Sequence, residues 1–401
     1  MFCIINLVIE LKKILHCDLN NFFASVEEVN NPELKKAPMA VCGDPSKRHG
    51  IVLAKNNLAK KFGIYTPENL ISAKKKCPNL VLVEPHYDEY KKYSNLVNEV
   101  YLKYTDKVEP FSIDESFLDV TESEALFGSA EEIAYKIKEE IKSKYGLTIS
   151  VGVSFNKALA KLGSDMKKPD AITVLDYKTY KSKIFPLPVS SLMFAGKTIC
   201  EELKKMRIEK VGDLALYDRN ILVQKFGKIA GELHDTANGV GDDVVKLYYD
   251  KYVPKSISKG MTLQEDTNDL DILIPICNNL CSEITRKLRY QKLKTNCVCV
   301  NLKDNNFISF SKQKQISITD SYDIILRNAK EILNSMLINK NLIRTITISV
   351  TNLKEIEEEQ IDLFNFKSNE KNNIALQTLN NLKDKNIKIG FADNIEKSTL
   401  I

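Results

Sequence analysis

The ten residues from Phe111 to Val120, reading Phe-Ser-Ile-Asp-Glu-Ser-Phe-Leu-Asp-Val, constrain this chain more than any other stretch. Apolar residues flank a polar centre, which predicts a pair of strands around a tight turn. Asp114 and Glu115 sit side by side at that turn. Neighbours on one strand point to opposite faces, so only a turn can bend both carboxylates the same way. Like charges that close are costly unless a cation lies between them. Hard oxygen ligands of this kind suit Mg²⁺. Alone, the two residues read first as a solvated Asp-Glu turn. A second stretch, Ile14 to Glu27, changes the weighting. It predicts a buried strand that delivers Asp18 into a turn, then a helix with Phe22 and Phe23 in its first turn. Brought together, Asp18, Asp114 and Glu115 would surround a metal pair, the arrangement for in-line phosphoryl or nucleotidyl transfer with two Mg²⁺ ions.

A third stretch, Ser150 to Pro169, supplies a strand and then a Lys-rich helix. With these three motifs in this order, the chain resembles the Y-family DNA polymerases, the translesion class. The resemblance runs from about Ile14 to about Lys354. It implies an α+β right-hand polymerase that copies damaged template distributively and with low fidelity, in DNA damage tolerance and repair. It implies primer-template DNA and deoxynucleoside triphosphates as partners, two Mg²⁺ ions as cofactors, and a monomeric enzyme.

Composition is compatible with this. The chain has 401 residues, too many for one hydrophobic core. It carries 58 Lys and Arg against 53 Asp and Glu, a net charge of +5 that by itself says little about nucleic acid. Nine scattered cysteines, an odd number, point to reduced thiols and a cytoplasmic setting. Cys277 and Cys281 lie one helical turn apart, and Cys297 and Cys299 share a strand face. Zinc is conceivable there, but no histidine is near and buried free cysteine is common, so core packing is expected. Met1 to Leu11 is apolar but lacks a basic start and a small-residue cleavage site, so a short extension is expected rather than a signal peptide. No apolar run reaches membrane-spanning length, and no membrane partner is expected.

Along the chain, hydrophobic periodicity predicts helices over Tyr87–Tyr104 and Ala130–Tyr145 and strands over Pro38–Cys42, Ile51–Leu53 and Thr148–Val153. A palm with helices on one side of its strands is expected. By resemblance, the palm spans 12–20 and 83–172, the fingers 21–82, and the thumb 173–240. A linker over 241–254 and a little finger over 255–354 follow, then a tail over 355–401. Gly196 and Gly212 punctuate the helical thumb and are compatible with helix-hairpin-helix turns. From Ser256 the order is strand, helix, strand (Asn296–Leu302), strand (Phe307–Ser311), helix, strand, a split βαβ unit. Residues 241–354 hold 17 Lys and Arg against 12 Asp and Glu, so this module equals the whole chain's excess of +5 and fits a DNA-gripping domain.

The resemblance also implies residue roles. Asp18, Asp114 and Glu115 would hold the metals, joined by the Leu19 carbonyl, with Glu115 the named catalytic acid. Asn20 stands where the family often has a second Asp, so it is not counted as a ligand. Phe23 falls on the aromatic that excludes a ribose 2′-OH. Phe22 beside it is expected to be mainly core while lining the nucleotide site. Lys60 and Lys168 match triphosphate-contacting positions, and Asn57 replaces a Tyr found in many members, which predicts weaker nucleotide binding. In the tail, Gln360-Ile361-Asp362-Leu363-Phe364 resembles a sliding-clamp-binding peptide: Gln360 anchors, while Leu363 and Phe364 fill a pocket. Two other classes compete. A catalytically weak scaffold of the same fold would bind DNA and clamp, but such relatives lose the acids that this chain keeps. A nucleotide cyclase with a related palm offers no use for the basic module.

Overall fold

The structure, a computed structural model, describes residues 11–43, 50–250, 253–337 and 342–355. The peptide Gln360–Phe364 lies outside the described residues. The chain divides into two compact units, Met1–Asp250 and Lys251–Ile401.

The first unit is built on a five-stranded sheet. Its order is β6 (Val108–Pro110), β7 (Glu115–Asp119), β1 (Ile14–Leu19), β8 (Ile149–Ser154), β9 (Ile172–Val174). The central strand β1 is buried throughout, as its run of apolar residues requires. It runs antiparallel to β7 and β8, in a register that sets Asp18 opposite Glu115 and His16 opposite Gly152.

On one face of this sheet, Leu15, Cys17, Leu118 and Val151 pack with α1 (Phe22–Asn30), α4 (Tyr87–Tyr101) and α6 (Ala130–Tyr145). The last helix follows a short α5 (Glu124–Phe127). Helix α6 has the bounds that its periodicity predicts. Ser129 and Glu132 form a capping box, Ile133, Ile137 and Ile141 are wholly buried, and Gly146 ends it at φ 65°. Each buried isoleucine contributes roughly 1.5–3 kcal/mol.

The expectation of helices on one side only is corrected. Ile14 and Phe117, on the opposite face, pack with Ala160 of α7 (Lys157–Met166). Two features admit α7 there: Asn156 caps it, and Gly152 presents no side chain to it. Val245 joins the same cluster, and the Lys157 amide donates to the Asp242 carbonyl at 2.9 Å. The first part of the stretch expected as linker is therefore docked on this unit.

A smaller sheet has the order β4 (Glu68–Asn69), β3 (Ile51–Lys55), β2 (Met39–Cys42), β5 (Val81–Val83). Ala40, Cys42, Val52, Ala59 and Leu70 bury it against α2 (Asn57–Lys61) and α3 (Leu70–Lys76). Five helices complete the unit: α8 (Tyr180–Ile184), α9 (Lys197–Lys205), α10 (Val211–Leu216), α11 (Arg219–Phe226) and α12 (Lys228–Ala237). They share a core of Leu203, Val211, Leu214, Leu222 and Leu233. Gly196 caps α9, whereas Gly212 lies inside the first turn of α10 against Phe185.

The second unit has the order β10 (Ser256–Thr267), β13 (Ile343–Thr351), β11 (Leu293–Asp304), β12 (Ser309–Thr319), all antiparallel. A short β14 (Lys354–Glu355) pairs with the start of β11. Helices α13 (Leu270–Tyr290) and α14 (Tyr322–Met336) pack on the sheet through Leu273, Leu280, Ile284, Ile325 and Leu333. This is the expected split βαβ unit. Cys277 and Cys281 are part of its core, and Cys297 is buried as well.

Candidate active site

Asp18 leaves the end of β1 and Glu115 begins β7 directly opposite it, so both carboxylates come to the α7 face. Asp18 is 6% exposed. Burial, then the neighbouring Glu115, pushes its carboxyl above the ordinary range, against the pull of Lys168. Burial acts on Glu115 in the same direction, but Asp18 and Lys161 outweigh it and hold Glu115 low. The opposite shifts have one cause: two half-buried to buried carboxylates this close disfavour each other's charge. Lysines occupy both acids. Lys168 reaches Asp18 at 2.6 Å and Asp165 at 2.7 Å, and Lys161 pairs with Glu115. Burial lowers the Lys168 ammonium, but Asp18 and Asp165 reverse the shift and keep it charged.

Asp114 sits in the turn, where its carboxylate accepts the Ser112 hydroxyl at 2.6 Å, while its carbonyl accepts the Leu19 amide at 3.0 Å. Among the described residues, no three His, Cys, Asp or Glu side chains already converge as a metal cage. The acids fit Mg²⁺ in a different way: a costly buried carboxylate pair, cations already drawn to it, and a third carboxylate at hand. Mg²⁺ is ordinarily held by one or two carboxylates and completed by water and substrate phosphates. Asn20, excluded as a ligand, has both ends of its amide engaged. It donates to Thr148 at 3.2 Å and accepts from Ser150 at 2.9 Å.

These acids open into a cleft of about 310 Å³, lined on one side by Asp18, Leu19, Asp114 and Lys168. Phe22, Phe23, Asn57 and Lys60 line it too, so the structure brings together every site residue named from the sequence except Glu115, which lies just behind Asp18, and the tail peptide. Phe22 is 3% exposed, as a core residue should be, while Phe23 is half-buried at the cleft. Asn57 is drawn aside, accepting from Asn21 at 3.1 Å.

Four participants escaped sequence reasoning. Lys161 and Ser164 reach the site from α7, on the side where no helix was expected. His16 is wholly buried, with Nδ1 at 2.8 Å from Ser164 Oγ and Nε2 at 4.0 Å from Glu115. Burial, then Lys161, pushes its imidazole down to about 3, so the 4.0 Å approach is not an ion pair. Among the described residues Nε2 has no hydrogen-bond partner. Lys55 is the fourth. It lines the cleft and donates to Thr66 at 3.3 Å, and burial, then Lys60, depresses its ammonium. Each was a single polar residue in a strand or helix, and only its long-range neighbours mark it.

Comparisons with known proteins agree on one family. The impB/mucB/samB family model matches residues 17–165, and that family's C-terminal domain matches residues 254–363. The chain is 43% identical over 355 residues to DNA polymerase IV of Acetivibrio thermocellus, covering 88% of each. It is 36% identical over 392 residues to DNA polymerase IV of Clostridium acetobutylicum, covering 96% of each. Among solved structures it is similar to a Y-family polymerase chimera of Dbh and Dpo4. The TM-score is 0.78 at 28% identity, covering 86% of this chain and 100% of that one.

Proposed function

The chain belongs to the impB/mucB/samB family, the Y-family DNA polymerases, and is a DNA-directed DNA polymerase; from there we propose how this chain works. Asp18, Asp114 and Glu115, with the Leu19 carbonyl, hold two Mg²⁺ ions. The observation that carries this is Asp18 facing Glu115 across adjacent strands, beside Asp114 in a cleft walled by lysines. When bound, the ions lower the pKa of the primer 3′-OH and neutralise the triphosphate and leaving pyrophosphate.

The chain's own residues do the rest. Lys161 holds the Glu115 carboxylate in place from α7. Lys168 and Lys60 act as point charges on the triphosphate, and Lys168 is already poised on Asp18. Phe23, half-buried at the cleft with Phe22 packed beside it, is the ring that would exclude a ribose 2′-OH.

We assign the palm to 12–20 and 83–172, the fingers to 21–82, the thumb to 173–240, and the little finger to 255–354. The enzyme acts as a monomer in damage tolerance, in the cytoplasm, held to the sliding clamp through Gln360, Leu363 and Phe364. Among the described residues no helix is long and apolar enough to cross a membrane. Deleting Gln360–Phe364 should abolish capture by the clamp, and undiminished capture refutes that role.

The test of the site is primer extension with Mg²⁺ by the full chain and by Glu115→Ala. Extension that vanishes in the variant supports the polymerase and its metal site together. A wild-type chain that fails to extend even with clamp present would favour the scaffold instead.

A further inference from the structure

We propose that Glu27 is a positioning residue for sugar selection, acting through Tyr90 on Phe23. The proposal rests on the reading of Phe23 as the residue that excludes ribose.

Phe23 and Glu27 lie four residues apart on α1, and so on one face of that helix. That face meets α4. The Tyr90 ring lies flat on the Phe23 ring, with centroids 4.1 Å apart and planes 11° from parallel. Near-parallel rings at this spacing are slipped relative to one another, a favoured stack, so the position of the Tyr90 ring bears directly on Phe23. The Tyr90 hydroxyl donates to Glu27 Oε1 at 2.5 Å, and its ring is wholly buried. Tyr87 meets both rings edge-on, at 6.0 Å from Phe23 and 5.9 Å from Tyr90.

Glu27 is itself held. It is 5% exposed, and its same oxygen also meets His86 Nδ1 at 2.9 Å. A carboxylate this buried is costly unless its donors are fixed. The metal chemistry makes no use of it. Of its two side-chain contacts among the described residues, His86 lies toward solvent and Tyr90 leads to the ring at the cleft. One turn further along α1, Asn30 accepts the Tyr93 hydroxyl at 3.2 Å, so the helix pair is registered on both sides of Glu27.

The physical consequence follows from how steric exclusion works. A ring excludes a hydroxyl only if it cannot yield, because a small displacement relieves the clash. Removing the Tyr90 anchor frees the backing ring to slide, and Phe23 gains room to retreat. Ribonucleotides then gain more than deoxyribonucleotides. Loss of helix packing alone would slow both equally.

The experiment is single-nucleotide insertion by the full chain with matched deoxy and ribo substrates. The readout is the ratio of their kcat/KM values. Phe23→Ala serves as the reference for an open gate. Tyr90→Phe keeps the ring and removes the hydroxyl, and Glu27→Leu removes the acceptor; each should lower the ratio about 10-fold. Glu27→Gln keeps an acceptor oxygen and should stay within about twofold of wild type. If Phe23→Ala collapses the ratio while Tyr90→Phe and Glu27→Leu leave it unchanged, or slow both sugars alike, Glu27 is a packing residue and the proposal is overturned. If Phe23→Ala itself leaves the ratio unchanged, the underlying reading of Phe23 fails and this proposal with it. Should Glu27→Leu not fold, Tyr90→Phe decides alone.

Discussion

Substituting Gly152 by Ala tests how the sheet and the site depend on each other. Gly152 lies on β8 opposite His16, under helix α7. A Cβ there would stand 1.8 Å from the Ala160 carbonyl oxygen and 2.5 Å from the Ser164 amide nitrogen. Ordinary C···O approach is about 3.3 Å, so α7 must retreat by about 1.5 Å. Both obstacles are backbone, and no side chain can swing aside. Overpacking of this kind costs up to about 3 kcal/mol. The entropy that Ala removes from the unfolded chain returns only about 0.4–1 kcal/mol, so the clash wins. Urea unfolding of the full chain should lose about 2 kcal/mol or more in the transition of the unit that carries the site. The retreat also carries Lys161 and Ser164 away from Glu115 and His16. A shift of about 1 Å at a reacting centre can cost about 100-fold, so kcat/KM should fall by that order. Stability within about 0.5 kcal/mol of wild type together with unchanged kinetics would refute the reasoning, because α7 would then not be fixed by this contact.

Three further outcomes are expected. Asn57→Tyr should lower the KM for a single deoxynucleotide, because a longer donor reaches into the cleft that Asn57 leaves for Asn21; an unchanged KM counts against it. Lys55→Ala should raise that KM several-fold with little change in kcat, since its ammonium lines the cleft beside Lys60 and donates only to Thr66 among the described residues. His86 is raised by its hydrogen bond to Glu27, so it stabilises the fold fully below its unfolded pKa, and that contribution fades as pH rises through its folded pKa. The stability gap between wild type and His86→Ala should therefore be larger at pH 5.5 than at pH 9, though it should stay below about 1 kcal/mol because the ring is largely exposed.

Much of the fold could be read locally. Ala130–Tyr145 carries its own start signal, apolar period and glycine stop within one window, and the helix obeys all three. Leu270–Tyr290 has an Asp269 cap and the apolar period, but it ends at Gln291 without a glycine stop and carries Pro275 inside. Strand β12 was legible only in part. Phe307–Ser311 predicts only its beginning, whereas the strand runs Ser309–Thr319, because Lys312, Gln313, Lys314 and Gln315 are exposed on an edge strand and carry no apolar alternation. The thumb glycines behave differently from each other. Gly196 is a cap, and the nearby positive φ of 69° is taken by Phe194 instead of a glycine.

The same division holds at the site. Asp18, Asp114, Glu115 and Phe23 could be named from the chain because each lies in a long local motif whose order is itself informative. Local sequence determined the two strands that carry the acids, the acid turn, the aromatic pair and the basic module. What the tertiary structure alone decided is who stands behind those residues. Lys161 meets Glu115 across 46 positions and Lys168 meets Asp18 across 150. Ser164 meets His16 across 148, and Tyr90 meets Glu27 across 63. A lysine, a histidine or a buried glutamate has no periodicity to announce its partner. Its charge state and purpose depend on burial and on charges brought close by packing, and those exist only once β1, β7, β8 and the helices on both faces have come together.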